Sequence, residues 1–140
     1  NTGEKLRKIG SEFGATTGRP RRCGWFDAVA AKFSCMINGL TDIALTKLDI
    51  LDDFDEIKLC VAYKNGDKEL DHYSQSIEIE NQIVPIYKTF KGWKTKLNGI
   101  NDYNSLPLEC KEYVEFIEEF TQTKISIISI GPGRNEIIKR

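Results

Sequence analysis

The chain has 140 residues, 40% of them hydrophobic and 29% charged, and this composition excludes the disordered and low-complexity classes of protein. The length predicts a single domain that spans residues 1–140. Twenty Lys and Arg against 21 Asp and Glu leave a formal net charge of -1. No overall positive field therefore favours nucleic acid or a membrane surface as partner, and any site for an anion must be local.

Cysteine and histidine usage argues against a metal centre. The cysteines at positions 23, 35, 60 and 110 lack the close spacing of a zinc site or a redox dithiol, so we interpret them as buried thiols of a cytosolic protein. The single histidine, His72, is interpreted as a surface or hairpin residue. Apolar runs are all much shorter than the roughly 18 residues that cross a bilayer. The sequence therefore predicts a soluble, cytoplasmic protein without a metal site of its own.

Hydrophobic periodicity predicts alternating helices and short strands. The first part of the chain should form a polar, glycine-spaced loop over 4–22, an amphipathic helix over 25–37 that stops near Gly39, a strand over 42–47 and a turn through 52–53. The middle should form a strand over 57–64, its return over 68–73, a further strand over 83–90 and an irregular stretch over 92–102. The last part should form a helix from Pro107, a strand over 125–130 and a short antiparallel return over 136–139. Asn65-Gly66 is a strong hairpin signal between two of these strands.

This order of elements predicts an α/β fold, with a mainly parallel sheet covered by helices and the hairpin over 57–73 as an antiparallel excursion. In such sheets, ligands bind outside the carboxyl ends of the strands. Segments 46–49 and 129–132 both follow predicted strands. They are therefore candidate binding segments.

The first candidate site is the loop Ala15-Thr16-Thr17-Gly18-Arg19-Pro20-Arg21-Arg22. It combines two hydroxyls, a glycine that lets backbone amides approach a ligand, and arginines on both sides of a proline. Guanidinium groups donate in pairs to carboxylate and phosphate oxygens, so the pattern predicts an anion-binding loop. A solvated basic run in a surface loop is the alternative.

The second candidate is Thr46-Lys47-Leu48-Asp49. Guanine presents two adjacent donors, N1–H and the exocyclic amine, and one carboxylate can accept from both while a lysine stem covers the face of the base. The third candidate is Ser129-Ile130-Gly131-Pro132-Gly133-Arg134, whose glycine and proline at a strand end could offer backbone groups to the O6 side of a purine. Each segment alone is also compatible with an ordinary polar turn.

Several nucleotide motifs are missing. The chain has neither the G-x-x-x-x-G-K-[ST] phosphate loop nor a G-x-G-x-x-G turn. A nucleotide enzyme made only of this chain would lack a phosphate cradle. The start at Asn1, without Met and followed by a glycine-rich stretch, further suggests a piece of a longer protein.

Taken together, these motifs resemble the adenylosuccinate synthetase family. The most specific block is Ala-Thr-Thr-Gly-Arg-x-Arg-Arg-x-Gly-Trp over 15–25, in which Pro20 stands where some members carry an arginine. The other matching segments are 12–14, 45–49, 60–63, 85–87, 92–94 and 131–132. The resemblance covers nearly the whole chain and corresponds to the family's C-terminal third, so the predicted fold would be the C-terminal part of that family's sheet.

The resemblance implies a function. The family joins IMP and L-aspartate into adenylosuccinate, with GTP as co-substrate and Mg²⁺ as cofactor, through a 6-phosphoryl-IMP intermediate, and it works as a homodimer. It implies aspartate and IMP binding by Ala15, Thr16, Thr17, Gly18, Arg19, Pro20 and Arg21. It implies GTP binding by Arg21, Lys47, Leu48, Asp49, Ser129, Ile130 and Gly131.

The same resemblance places the phosphate loop, the catalytic Asp and His, and the magnesium ligands before the region covered here. The chain would then hold no catalytic residue and no metal ligand, and alone it would be inactive. The alternative is a free-standing, non-catalytic guanine-nucleotide-binding module. A nucleic-acid binder that uses residues 19–22 is disfavoured by the net charge. We also expect residues 10–22 to be disordered without ligand.

Overall fold

The computed structural model describes residues 1–73 and 83–140. These residues contain three α-helices, two 3₁₀ helices and seven strands. They are α1 Thr2–Ile9, β1 Phe26–Asp27, α2 Ala28–Asn38, β2 Asp42–Leu45, a 3₁₀ helix Leu48–Leu51, β3 Glu56–Asn65, β4 Lys68–Leu70, β5 Val84–Lys91, a 3₁₀ helix Tyr103–Ser105, α3 Leu108–Thr121, β6 Lys124–Ser129 and β7 Ile137–Lys139. In this part of the chain, no helix is long and apolar enough to span a membrane.

The strands form two sheets. In one, β3 pairs with β1 in parallel and with β4 and β5 in antiparallel orientation. In the other, β6 lies between β2, its parallel neighbour, and β7, its antiparallel neighbour. The predicted α/β class is therefore confirmed, with more antiparallel pairing than the sequence suggested. Because β2 and β6 run in the same direction, the segments that follow them leave the sheet at the same edge.

The main core lies between these sheets and α3. Helix α3 buries Cys110, Tyr113, Val114 and Ile117 on one face, as the periodicity predicted, while Phe120 is half-buried. Strand β6 adds Ile125 and Ile128, which are fully buried, and these apolar contacts hold the helix on the sheet.

The predicted loop over 4–22 is wrong in its first part, because Thr2–Ile9 is helical. The side chain of Asn1 accepts a hydrogen bond of 3.0 Å from Gly3 N and caps the helix. Glu4 in the first turn and Arg7 in the last turn suit the helix dipole. Leu6 is the helix's one buried residue, so the segment shows no apolar period that sequence analysis could detect.

The predicted helix over 25–37 begins later than expected. Phe26–Asp27 pairs with β3, and the side chain of Asp27 then caps α2 by accepting from Ala30 N at 3.0 Å. Its predicted end is confirmed, since Gly39 adopts the left-handed conformation with φ 59°.

The hairpin prediction is confirmed. Strand β3 turns at Asn65-Gly66, where Gly66 has φ 60°, and returns as β4, which ends at Leu70 rather than at residue 73. The strand near 83–90, the helix after Pro107 and the antiparallel return near 136–139 are confirmed as β5, α3 and β7.

The predicted burial of the thiols and the predicted surface position of the histidine are confirmed, with one exception. Cys35, Cys60 and Cys110 are buried, whereas Cys23 is half-buried. Burial raises the pKa of Cys60 to about 11 and that of Cys110 to about 12, so both stay protonated at neutral pH. His72 is exposed and contacts Asp71 at 3.2 Å.

Candidate functional site

A cavity of about 330 Å³ opens at the edge where β2 and β6 end, and we call it the β2–β6 cavity. Three segments of the chain line it. They supply Ile9, Gly10 and Ser11 after α1, then Thr46, Lys47, Asp49 and Ile50 after β2, and Ser129, Gly131 and Pro132 after β6. Two candidate segments that are distant in sequence are thus brought together.

Lys47 occupies a constrained position at this cavity. It adopts a left-handed conformation, with φ 61°, immediately before the 3₁₀ helix Leu48–Leu51. Its ammonium donates a hydrogen bond of 2.6 Å to the carbonyl oxygen of Gly10 and also pairs with the carboxylate of Glu12. These contacts tie the segment after β2 to the segment after α1.

Asp49 lies in the first turn of the 3₁₀ helix, half-buried, and lines the β2–β6 cavity. By contrast, the side chains of Leu48 and Ile130 are buried in the core, each 2% exposed. These two residues can therefore offer a ligand only their backbone groups. Of the predicted GTP residues, Lys47, Asp49, Ser129 and Gly131 line the cavity.

The loop after β6 is held by its own side chains. Ser129 Oγ donates to the carbonyl oxygen of Gly131 at 2.9 Å. The carboxylate of Glu136 lies against Gly131, accepts from Gly133 N, and accepts from Asn98 Nδ2 at 2.8 Å. These contacts hold the part of the cavity lining that Ser129, Gly131 and Pro132 supply.

The predicted anion loop folds as a narrow turn. Phe13 and Pro20 form an isolated antiparallel bridge, and Gly14 N donates to the carbonyl oxygen of Arg19 at 2.8 Å. Residues 15–20 are all exposed and stand outside the lining of the β2–β6 cavity. The expected disorder of residues 10–22 without ligand stays a prediction.

Arg21, which follows this loop, lines a second cavity of about 320 Å³, which we call the arginine cavity. Its lining consists of Leu6, Glu12, Arg21, Arg22, Cys23, Gly24 and Ile50. Ile50 lines both cavities, so they are neighbours. Of the predicted aspartate-loop residues, Arg21 is the one that reaches a described cavity.

Glu12 is a residue that sequence reasoning did not select. Its carboxylate accepts from Arg21 Nη1 at 2.8 Å and also pairs with Lys47. Hydrogen bonds from Lys47 and then Arg21 hold the pKa of Glu12 below its usual 4.5. Its position just before the loop was the one available signal, since nothing in the local pattern indicates a contact with residue 47.

Within residues 1–73 and 83–140, no group of three or more His, Cys, Asp or Glu side chains is arranged to hold a metal ion. The described residues do not fit a magnesium site, and we derive no step through that ion.

The sequence model described as adenylosuccinate synthetase matches residues 1–138. The chain belongs to the adenylosuccinate synthetase family. An adenylosuccinate synthetase from Chlorobium chlorochromatii is 50% identical over 139 residues, which cover 99% of this chain and 32% of that protein. One from Aquifex aeolicus is 49% identical over 136 residues, covering 97% of this chain and 32% of the relative.

A solved structure of fully ligated adenylosuccinate synthetase from Plasmodium falciparum superimposes with a TM-score of 0.93. It is 39% identical and covers 99% of this chain and 34% of that one. The family resemblance and the α/β class are thereby confirmed. The chain spans about a third of the length of these adenylosuccinate synthetases.

Proposed function

We propose that this chain is the aspartate- and guanine-binding C-terminal part of an enzyme that joins IMP and L-aspartate into adenylosuccinate with GTP as co-substrate. The observation that carries the proposal is the β2–β6 cavity. It gathers Lys47 and Asp49 from the segment after β2 and Ser129 and Gly131 from the segment after β6.

The chemistry of the cavity suits guanine. A half-buried carboxylate at Asp49 can accept from both N1–H and the exocyclic amine of the base. The stem of Lys47 offers apolar surface to the face of the base. Leu48 and Ile130 bury their side chains, so they would contact the base through backbone groups, as would Gly131.

The exposed loop supports the aspartate role. Residues 15–20 are all exposed, so the hydroxyls of Thr16 and Thr17 and the guanidinium of Arg19 can reach a dicarboxylate from solvent. In the proposed arrangement the loop closes over aspartate, Arg19 also reaches the IMP ribose, and Arg21 approaches the GTP side.

The rest of the enzyme would supply the chemistry. The chain lacks a phosphate loop, and its described residues lack a metal cluster, so we assign electrophile activation and the Mg²⁺ ligands to the part of the enzyme that precedes this region. The isolated 140 residues should therefore form no adenylosuccinate. The complete enzyme is proposed to be a cytoplasmic homodimer. Sequencing the gene upstream of Asn1 tests this arrangement, since a phosphate loop must be found there.

Asp49→Asn in the complete enzyme tests the guanine assignment. The amide keeps one acceptor but turns a donor toward the guanine amine, and two opposed donors in a desolvated pocket cost roughly a hundredfold in kcat/KM. Xanthine carries an oxygen at that position, so the variant should prefer XTP to GTP.

The measurement is kcat/KM with each nucleotide at saturating IMP and aspartate. Asp67→Asn is the matched control, because Asp67 is exposed in the hairpin turn and should keep the wild-type preference. If Asp49→Asn still favours GTP by the original margin, the guanine assignment is wrong.

A further inference from the structure

One glutamate connects the two cavities. Glu12 lines the arginine cavity beside Arg21, and its side chain also contacts Lys47, which lines the β2–β6 cavity. Oxygen Oε2 accepts from Arg21 Nη1 at 2.8 Å, while Oε1 pairs with Lys47 Nζ. One carboxylate therefore holds a cation from each proposed binding region.

The backbone keeps Glu12 in this place. Its amide donates to the carbonyl oxygen of Arg7 at 2.9 Å, and its own carbonyl accepts from Arg21 N at 3.0 Å. Arg7 Nε in turn donates to the carbonyl oxygen of Arg21 at 2.6 Å. The Glu12 side chain is 19% exposed, against 59% for Arg21 and 45% for Lys47. The Glu12 side chain is therefore the least exposed of the three charged groups.

The charges give the arrangement its effect. Both hydrogen bonds hold the pKa of Glu12 below its usual value, so the carboxylate is ionised at neutral pH. It offsets one of the two positive charges and leaves the remaining donors of Arg21 and Lys47 available to a ligand. Without that negative charge, Arg21 and Lys47 would lose their shared acceptor and repel each other.

We propose that Glu12 is a positioning residue that couples the aspartate loop to the guanine pocket by holding Arg21 and Lys47 on one carboxylate. This inference rests on the proposed function of those two regions. A ligand that moves either cation changes how the carboxylate holds the other, so the affinities for aspartate and GTP are linked.

Glu12→Gln in the complete enzyme tests the coupling. Glutamine keeps the size and one acceptor but removes the charge. The apparent KM values for aspartate and for GTP should both rise about two- to fivefold, the range that partly exposed ion pairs reach, while kcat changes less. Wild-type values of both KM, or a rise in only one, would overturn the coupling.

Glu109→Gln is the matched control. It also removes an ion pair, with Lys91 at 2.7 Å, but Glu109 lines neither cavity. Its KM values should equal those of the wild type. A rise in both KM values in this control as well would overturn the inference, because it would show that losing any surface ion pair has the same effect.

Lys47→Gln tests the same coupling from the guanine pocket. Its result does not depend on whether the Glu12→Gln variant folds. Lys47 has no proposed contact with aspartate. Once Lys47 is neutral, Glu12 can turn both oxygens to Arg21 and draw the guanidinium away from the substrate. The apparent KM for aspartate should rise about two- to fivefold. An unchanged value overturns the inference.

The Asp49→Asn measurement separates this inference from the proposed function. If Asp49→Asn loses its preference for GTP while Glu12→Gln is silent, the coupling is overturned and the proposed function stands. If Asp49→Asn keeps its preference, the guanine assignment fails, and the coupling falls with it.

Discussion

The indole Nε1 of Trp93 donates a hydrogen bond of 2.9 Å to the carboxylate of Asp52, which lies 41 residues earlier in the chain. The other oxygen of Asp52 accepts from Leu97 N at 3.1 Å. Asp52 is 3% exposed, and burial raises its pKa above the usual 3.8, against the lowering effect of both hydrogen bonds. This one carboxylate pins the irregular stretch 92–97 against the end of the 3₁₀ helix Leu48–Leu51.

Asp52→Ala should therefore lower the free energy of unfolding of the complete enzyme by about 2 to 4 kcal/mol, because two buried donors lose a charged acceptor. Urea denaturation measures the effect. Asp53→Ala is the control, since Asp53 is exposed and pairs with Lys96 at the surface, and its stability should stay near that of the wild type. Equal losses in the two variants would contradict a special role for Asp52.

Gly92 offers a second stability test. A Cβ atom there would lie 1.8 Å from the carbonyl oxygen of Phe54, which is backbone and cannot move aside at low cost. Gly92→Ala should cost about 2 kcal/mol or more. At Gly24 the same atom would meet nothing within 4 Å, so Gly24→Ala should stay within about 0.5 kcal/mol of the wild type. If Gly92→Ala leaves the free energy of unfolding unchanged, the backbone at Phe54 moves away from residue 92 more easily than their packing indicates.

The carboxyl group of Glu12 should titrate below 4.5 in a carbon-13 NMR titration, since Lys47 and then Arg21 stabilise its ionised form. A lowered pKa in the folded state means that the stabilisation is present above the unfolded-state pKa and is lost as the pH falls through the folded-state value. The ion pairs should thus persist at neutral pH and break only in acid. In Lys47→Gln the pKa should rise toward 4.5, and identical titrations in both proteins would argue against the pairing.

Arg19→Lys and Arg21→Lys test the aspartate loop. Lysine keeps the charge but loses the forked pair of donors, so each variant of the complete enzyme should raise the apparent KM for aspartate by roughly tenfold. Initial rates at saturating IMP and GTP give the value. Arg134→Lys serves as control, because Arg134 is exposed and lines neither cavity. If KM and kcat stay near wild type in both loop variants, the anion-loop assignment is wrong.

Local chemistry made part of this protein predictable. Asn65-Gly66 specifies a hairpin because its backbone preferences are those of the turn, and α3 was visible because its buried residues recur at helical spacing. Segments 46–49 and 129–132 could be selected as candidates because each combines turn residues with polar groups after a strand.

Tertiary structure decided how those pieces meet. The parallel pairing of β2 with β6 puts Asp49 and Ser129 on one cavity, and no local pattern encodes which strands become neighbours. The same packing turns Leu48 and Ile130 into the core and buries Asp52, which the sequence presented as part of a polar turn. Glu12 joins Arg21 and Lys47 only after α1 and the end of β2 are placed side by side. Residue type and spacing along the chain determine the elements, whereas contacts between distant segments depend on the sum of many weak packing interactions that no single segment contains.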